Sequence, residues 1–298
     1  EGSFSEFLGI KLQGQPDGTI KLSQRGLIEK ILAATKMEEC KPNLLPATST
    51  ALGTDSDGEP MNESWSYNSI VGMLLYLSTN TRIDIALAVS QVARFNSNPK
   101  QSHATAVKSI VRYLKRTMDE GTIIKPTYRF DLDLWVDADF AGLHRSKDDR
   151  DPNSVRSRTG FVIILGGCPL VWKSQLQSAI TMSTLESEYQ SLSYALRTLL
   201  PLKWTLLEVA EALSIPDKIA SSVRARVFED NQGTYFLATN QRITNRTKYF
   251  LVKWHWFWSH SHEFTIFKVE SKAQRADYLT KPLTRELFEN NRRLVQGW

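Results

Sequence analysis

Cysteine is scarce: Cys40 and Cys168 are the only two in 298 residues, and they form no C-x-x-C pair. Two isolated thiols argue against a disulfide framework or a cysteine-rich zinc site and fit a reducing compartment. Long hydrophobic runs are also missing. The longest is Ile70-Val71 followed, past Gly72, by Met73 to Leu77, far short of the ~18 apolar residues of a membrane span. No secretory pattern opens the chain, and no repeat or low-complexity tract is visible. There is no initiator Met either: the chain starts at Glu1 and is expected to be a processed piece or a fragment. What is present is a 41% hydrophobic share, enough for a globular core, over a length that suits about two domains. A net charge of +5 and a pI near 9.1 lean toward an anionic partner.

The pattern along the chain changes character near residue 125. Before it, residues 1–24 mix β-branched and aromatic residues around Pro16-Asp17-Gly18, which predicts a β-hairpin. A short helix follows over Arg25 to Thr35. Lys41 to Pro60 is rich in turn formers and reads as an exposed connection. Residues 65–117 read as helices. Thr81-Arg82-Ile83-Asp84 has the form of a capping box, ahead of a buried stripe of Ile85, Leu87, Ala88, Val92 and Phe95. Pro99 separates this helix from another, with Ser102 as its expected cap and Ala104, Val107, Val111 and Leu114 inward. Beyond residue 125, Asp131 to Asp137 alternates as a strand does. Thr159 to Leu165 and Leu170 to Gln175 are two more strands, joined through Gly166-Gly167-Cys168-Pro169. Ser183 to Glu186 is a second capping box, opening a long helix toward Leu213. Ser222 to Phe228 and Phe264 to Val269 complete five strands. Helices are expected over Asn231 to Thr239, Arg246 to His262 and Gln274 to Gln296. The order β-β-β-α-β-α-α-β-α predicts an α/β fold with a mixed sheet.

Four acids fall where such a sheet gathers ligands, near strand ends and helix starts: Asp137 late in the first strand, Glu188 in the second turn of the long helix, Asp230 just past the fourth strand and Asp277 at the start of the last helix. Hydrolysis of a phosphodiester needs an activated water and a stabilised leaving oxygen, which two metal ions about 4 Å apart can supply. Magnesium takes hard oxygen ligands. Asp139 lies on the same strand face as Asp137 and is assigned a structural role. Glu186 is the capping partner of Ser183, which separates it from Glu188.

The chain resembles the C-terminal part of the reverse transcriptase–ribonuclease H polyprotein of copia-type (Ty1-type) retrotransposons. The resemblance is carried by FLGI at Phe7, LSQ at Leu22, SYNSIVGMLLYLSTNTRIDIALAVSQVARF from Ser66 and AVKSIVRYLKRT from Ala106. It continues through DADFAG from Asp137, RTGFV from Arg158, WKSQLQ from Trp172, STLESEYQSL from Ser183, EDNQG from Glu229, NRTK from Asn245 and ADYLTKPL from Ala276. It implies a ribonuclease H-like mixed five-stranded sheet with flanking helices, preceded by a small β-hairpin and a helical thumb or connection region. The implied domains are the end of the palm with its primer-grip hairpin and first thumb helix (1–42), the thumb or connection (43–125) and the ribonuclease H-like domain (126–298). Asp137, Glu188, Asp230 and Asp277 match the family's metal-binding acids, which implies two Mg2+ ions, or Mn2+ in their place. The implied substrate is the RNA strand of an RNA–DNA hybrid, cut to leave a 3′-hydroxyl. Hybrid contacts are expected at Arg158, Lys173, Asn231, Gln232, Arg246 and Lys248. The implied partners are that hybrid and the palm and fingers upstream, with no membrane, in the cytoplasm within a virus-like particle or in the nucleus.

The sequence departs from the family in several places. The polymerase signature Tyr-x-Asp-Asp is absent, so DNA synthesis is not expected of this chain. Ile83 stands where the family commonly has Pro, and Asn245 and Tyr249 flank Arg-Thr-Lys in place of His. Leu200-Pro201 occupies a point in the long helix where an acid is common. No metal-binding acid is lost. An integrase-type nuclease is disfavoured by the acid order and the missing His/Cys zinc module. His255, His260 and His262 lack further zinc ligands, and Trp254, Trp256 and Trp258 are expected in the core rather than stacked on bases.

Overall fold

The computed structural model describes residues 5–47, 52–127, 130–144, 151–215, 223–240 and 251–298, without the side chains of 251–254. Two compact units emerge. One comprises 1–125, 142–155 and 281–298; the other comprises 126–141 and 156–280. Among the described residues no helix is long and apolar enough to cross a membrane.

In the first unit, strands β1 (Glu6–Phe7), β2 (Ile10–Gly14), β3 (Ile20–Ser23) and β4 (Thr122–Ile124) form an antiparallel sheet in the order β1-β2-β3-β4. The expected hairpin is β2-β3. At its turn Gly18 takes a φ of +81°, and the Asp17 carboxylate accepts from the Thr19 N–H and hydroxyl at 3.1 and 2.7 Å. Helix α1 (Arg25–Thr35) has the predicted bounds. Helices α2 (Tyr67–Asn80), α3 (Ala86–Ala93) and α4 (Gln101–Arg116) supply the rest of the helical region. Their inward residues Leu74, Leu77, Val89, Val107 and Leu114 are fully buried with Ile28 and Ile31 of α1.

Two expected caps are replaced by other arrangements. Thr81 ends α2 instead of starting a helix, and its hydroxyl donates to Gln24 Oε1 at 2.8 Å. Asp84 turns inward to the Arg82 guanidinium, with bonds of 3.0 and 2.7 Å, and both side chains have no solvent exposure. A buried charge needs its partner more than a helix end needs a cap, so tertiary pairing overrides the local motif. Ser102 is likewise not the cap of α4. Lys100 is, and its N–H donates to His103 Nδ1 at 2.9 Å, while Ser102 donates to Asp55.

The second unit holds β5 (Leu132–Asp139), β6 (Arg158–Leu165), β7 (Cys168–Leu176), α5 (Thr184–Ala212), β8 (Ala225–Glu229), α6 (Gln232–Thr239), α7 (Leu251–Ser259) and β9 (Phe264–Lys268). The sheet order is β7-β6-β5-β8-β9. β5, β6 and β7 form an antiparallel meander, whereas β8 runs parallel to β5, and β9 parallel to β8. The two-residue Gly166-Gly167 turn can only reverse the chain between β6 and β7, and the parallel returns to β8 and β9 run through helical crossovers. Leu132, Leu134 and Val136 of β5 pack with Phe161, Ile163, Val227 and the α5 residues Tyr189, Leu192, Leu196 and Leu199 into one core.

The chain end differs from the single closing helix expected over Gln274 to Gln296. Two 3-10 turns, Ser271–Ala273 and Asp277–Leu279, precede a break and then α8 (Arg285–Gln296). Pro282 has no N–H to donate and disfavours helical φ/ψ at Lys281. α8 packs in the first unit, where Arg292 donates to the Tyr113 hydroxyl at 3.0 Å and Phe288 sits edge-on to the Tyr113 ring. The compact second unit ends at Thr280.

Candidate active site

Alternation on β5 sends Leu132, Leu134 and Val136 to the core and leaves Asp133, Trp135, Asp137 and Asp139 on the opposite face. Asp137 is nevertheless buried, 2% exposed, because the segment after β9 folds back over it. Gln274 anchors that segment: its side-chain amide donates to the Val136 carbonyl at 2.9 Å, and its Oε1 accepts from the Ala276 N–H at 3.2 Å. Asp277 opens the ensuing 3-10 turn, and Thr280 closes it by donating its hydroxyl to the Asp137 carboxylate.

The remaining acids come from α5 and from the end of β8. Ser183 caps α5 through the Glu186 N–H at 3.1 Å, and the Glu186 carboxylate accepts from the Met182 N–H at 2.8 Å. The cap thus occupies Glu186, and the next turn carries Glu188 into the buried interior. Asp230 follows β8 directly. Its neighbour Asn231 caps α6 by accepting from the Thr234 N–H at 3.0 Å, which ends the strand at this point.

The four acids selected from sequence are brought together, with a fifth beside them. One carboxylate oxygen each from Asp137, Asp230 and Asp277 lies within 4.8 Å of the other two, and so do those of Glu188, Glu229 and Asp230. Asp230 belongs to both groups. Asp139 belongs to neither. Glu229 extends by one residue the strand predicted to end at Phe228. It lies on the inward register with Ala225 and Val227, and that alternation was the available signal. Burial pushes the Glu229 carboxyl well above the usual carboxylate range; the Asn231 N–H pulls it down, and the charges of Asp230 and Asp137 raise it further. Gln274 and Thr280 also bear on the site, and no local sequence pattern marks them.

The expected hybrid contacts are dispersed in character. Arg158 is buried and donates to Ser174 at 3.1 Å, so it is not presented to solvent as a phosphate contact would be. Lys173 on β7 donates to the Tyr194 hydroxyl at 2.8 Å. Asn231 is committed to capping α6, and Gln232 is exposed in its first turn. Arg246 and Lys248 lie outside the described residues. Neither carboxylate group includes a histidine. Trp256 and Trp258 pack against the core of the second unit, as expected, and His260 stacks on Trp256.

A mixed sheet of this order, with acids from β5, α5, the end of β8 and the turn after β9 meeting at one place, defines a ribonuclease H-like domain. No family model matches the chain. It is 32% identical over 294 residues to the retrovirus-related Pol polyprotein from transposon RE2 of Arabidopsis thaliana, covering 97% of this chain and 19% of that protein. It is 30% identical over 303 residues to the one from transposon TNT 1-94 of Nicotiana tabacum, covering 99% and 22%. Over nearly its whole length the chain is thus similar to retrovirus-related Pol polyproteins from copia-type transposons. It spans about a fifth of the length of these relatives. Among solved structures it is similar to RNase H1 from the halophilic archaeon Halobacterium salinarum NRC-1, at 16% identity and a TM-score of 0.32, covering 54% of this chain and 98% of that one.

Proposed function

We propose that the second unit hydrolyses the RNA strand of RNA–DNA hybrids, leaving a 3′-hydroxyl, as the ribonuclease H part of a retrotransposon reverse transcriptase. The observation that carries this reading is the convergence of Asp137, Glu188, Asp230 and Asp277, drawn from four separate elements, into one carboxylate centre. The donor set suits divalent magnesium, or manganese, because every ligand is a hard carboxylate oxygen and several are buried against one another. Two such ions, when bound, supply an activated water and charge stabilisation at the leaving oxygen. The protein's own residues orient the ligands: Thr280 holds the Asp137 carboxylate, Gln274 ties the Asp277 turn to β5, and the Ser183 cap aligns α5 so that Glu188 faces inward.

In the same reading residues 1–42 end the palm, 43–125 form the thumb or connection, and palm and fingers lie upstream in the polyprotein. The exposed Gln232 and the Lys173 edge of β7 are proposed to meet the hybrid, together with Arg246 and Lys248. The test is incubation of the full chain with a hybrid labelled on either strand, in Mg2+, beside Asp230→Asn. Cleavage of the RNA strand alone, reduced by about 100-fold or more in the variant, is expected. A native chain that binds the hybrid without cutting it overturns the enzymatic reading and leaves a hybrid-binding role.

A further inference from the structure

β8 presents Ala225, Val227 and Glu229 to one side. The first two belong to the apolar core, so a carboxylate stands where the pattern calls for a third apolar residue. Glu229 has no solvent exposure. Its Oε1 accepts from the Asn231 N–H at 2.9 Å, whereas Oε2 has no hydrogen-bond partner among the described residues. Lys268, the nearby cation, does not supply one. Its ammonium donates to the backbone carbonyls of Asp230 and Val269. A buried carboxylate oxygen left in this state costs free energy unless a proton or a cation meets it.

The geometry supplies a place for that cation. A Glu229 oxygen lies within 4.8 Å of oxygens from both Glu188 and Asp230. Without Glu229, the Glu188 side of the centre has two acids. With it, each side has three, and Asp230 is common to both. Hard divalent cations take several oxygen ligands at once, so the third acid is the difference between a pair of charges and a coordination site.

We propose that Glu229 is a fifth ligand of the centre, closing with Glu188 and Asp230 a second divalent-cation position beside the one framed by Asp137, Asp230 and Asp277. This rests on the reading that the carboxylate centre binds divalent ions. It adds a residue outside the four acids that the family resemblance selects, and it follows from this chain's Glu at the last inward position of β8.

The probe is Mn2+ itself, titrated into the full chain and followed by electron paramagnetic resonance and by thermal melting, with an uncleavable hybrid whose RNA strand is 2′-O-methylated. Glu229→Gln keeps the shape of the side chain and removes its charge; Glu229→Asp keeps the charge and shortens its reach. Two Mn2+ ions are expected to bind the native chain. In Glu229→Gln one of them binds about tenfold or more weakly, the Mn2+-induced rise in melting temperature shrinks, and the other ion is held as before. Glu229→Asp falls between the two. If Glu229→Gln binds both ions with native affinity and gains the same melting temperature, Glu229 is a neutral, buried acid and the inference is overturned while the nuclease reading stands. If the native chain binds no Mn2+, both fall together.

Discussion

Gly160 and Thr280 approach so closely that a side chain on the glycine would collide with the threonine. A Cβ at Gly160 would lie 2.5 Å from Thr280 Cγ2, and 2.9 Å from Leu279 Cβ. Gly160 is the β6 residue paired with Asp137 across the sheet, and Thr280 is the residue that donates to Asp137. The absence of a side chain on one strand thus lets the turn carrying Asp277 settle over the acid on the next.

Gly160→Ala is therefore expected to push Leu279 and Thr280 off the sheet. Strain of this kind costs about 1–3 kcal/mol. The variant should unfold at lower urea concentration and need more Mg2+ or Mn2+ for half-maximal hybrid cleavage. An unchanged urea midpoint with an unchanged metal requirement would contradict the packing argument.

Thr280→Val keeps the shape of the side chain and deletes the donor to Asp137. Partners that orient a metal ligand typically account for about 10- to 100-fold in metal affinity. The expected outcome is a raised metal requirement, with turnover largely restored at saturating metal. Loss of turnover that extra metal cannot restore would place Thr280 in a different role.

In the first unit, Arg82 and Asp84 form an ion pair with neither side chain exposed, and Asp84 also accepts from the Tyr113 hydroxyl at 2.6 Å. Removing one partner strands a buried charge, at a cost of about 3–5 kcal/mol. Arg82→Met should show this in equilibrium unfolding, whereas Arg82→Met combined with Asp84→Leu should recover much of the loss. If the double variant is as unstable as the single one, the desolvation argument fails.

The same pair sets an acid limit. Burial pushes the Asp84 carboxyl up, but the Arg82 charge and its hydrogen bonds, with the Tyr113 hydroxyl, hold it below its ordinary value of 3.8. The unfolded chain therefore takes up the proton more readily than the folded one. The stabilisation is complete above the ordinary value and is lost as pH falls from there through the lower folded value. Melting temperatures measured between about pH 6 and pH 3 should fall at the acid end in the native chain, and less steeply in Asp84→Asn. Parallel curves would exclude Asp84 as a source.

Residues 281–298 belong with the first unit, where Gln296 reaches Asp84 at 3.3 Å and Trp298 lies under the guanidinium of Arg292 at 3.8 Å. A chain ending at Thr280 should lose hydrogen-exchange protection in α1 to α4 and keep it in β5, β6 and β8. Loss confined to the five-stranded sheet would contradict this placement.

Much of the molecule was legible locally. The 3.6-residue spacing of Val107, Val111 and Leu114 and the two-residue spacing of Leu132, Leu134 and Val136 name the buried faces. The cap at Ser183 separates Glu186 from Glu188 because an N-cap bond fixes which turn each residue occupies. Local signals failed where a distant partner competed for the same side chain. Thr81 and Asp84 look like a cap, yet each bonds to a residue outside the motif. Glu229 lies one residue beyond the predicted end of its strand, a boundary that pairing with β9 decides.

The sequence by itself marked most of the strands and helices and, through the family's motifs, the four acids Asp137, Glu188, Asp230 and Asp277, because periodicity, caps and motifs are properties of neighbouring residues. Only the tertiary structure decided that Glu229 joins them, that Thr280 holds Asp137 across 143 residues of chain, and that α8 packs in the first unit. These depend on which segments meet in space. Burial and charge pairing set those meetings, and they leave no periodic trace along the chain.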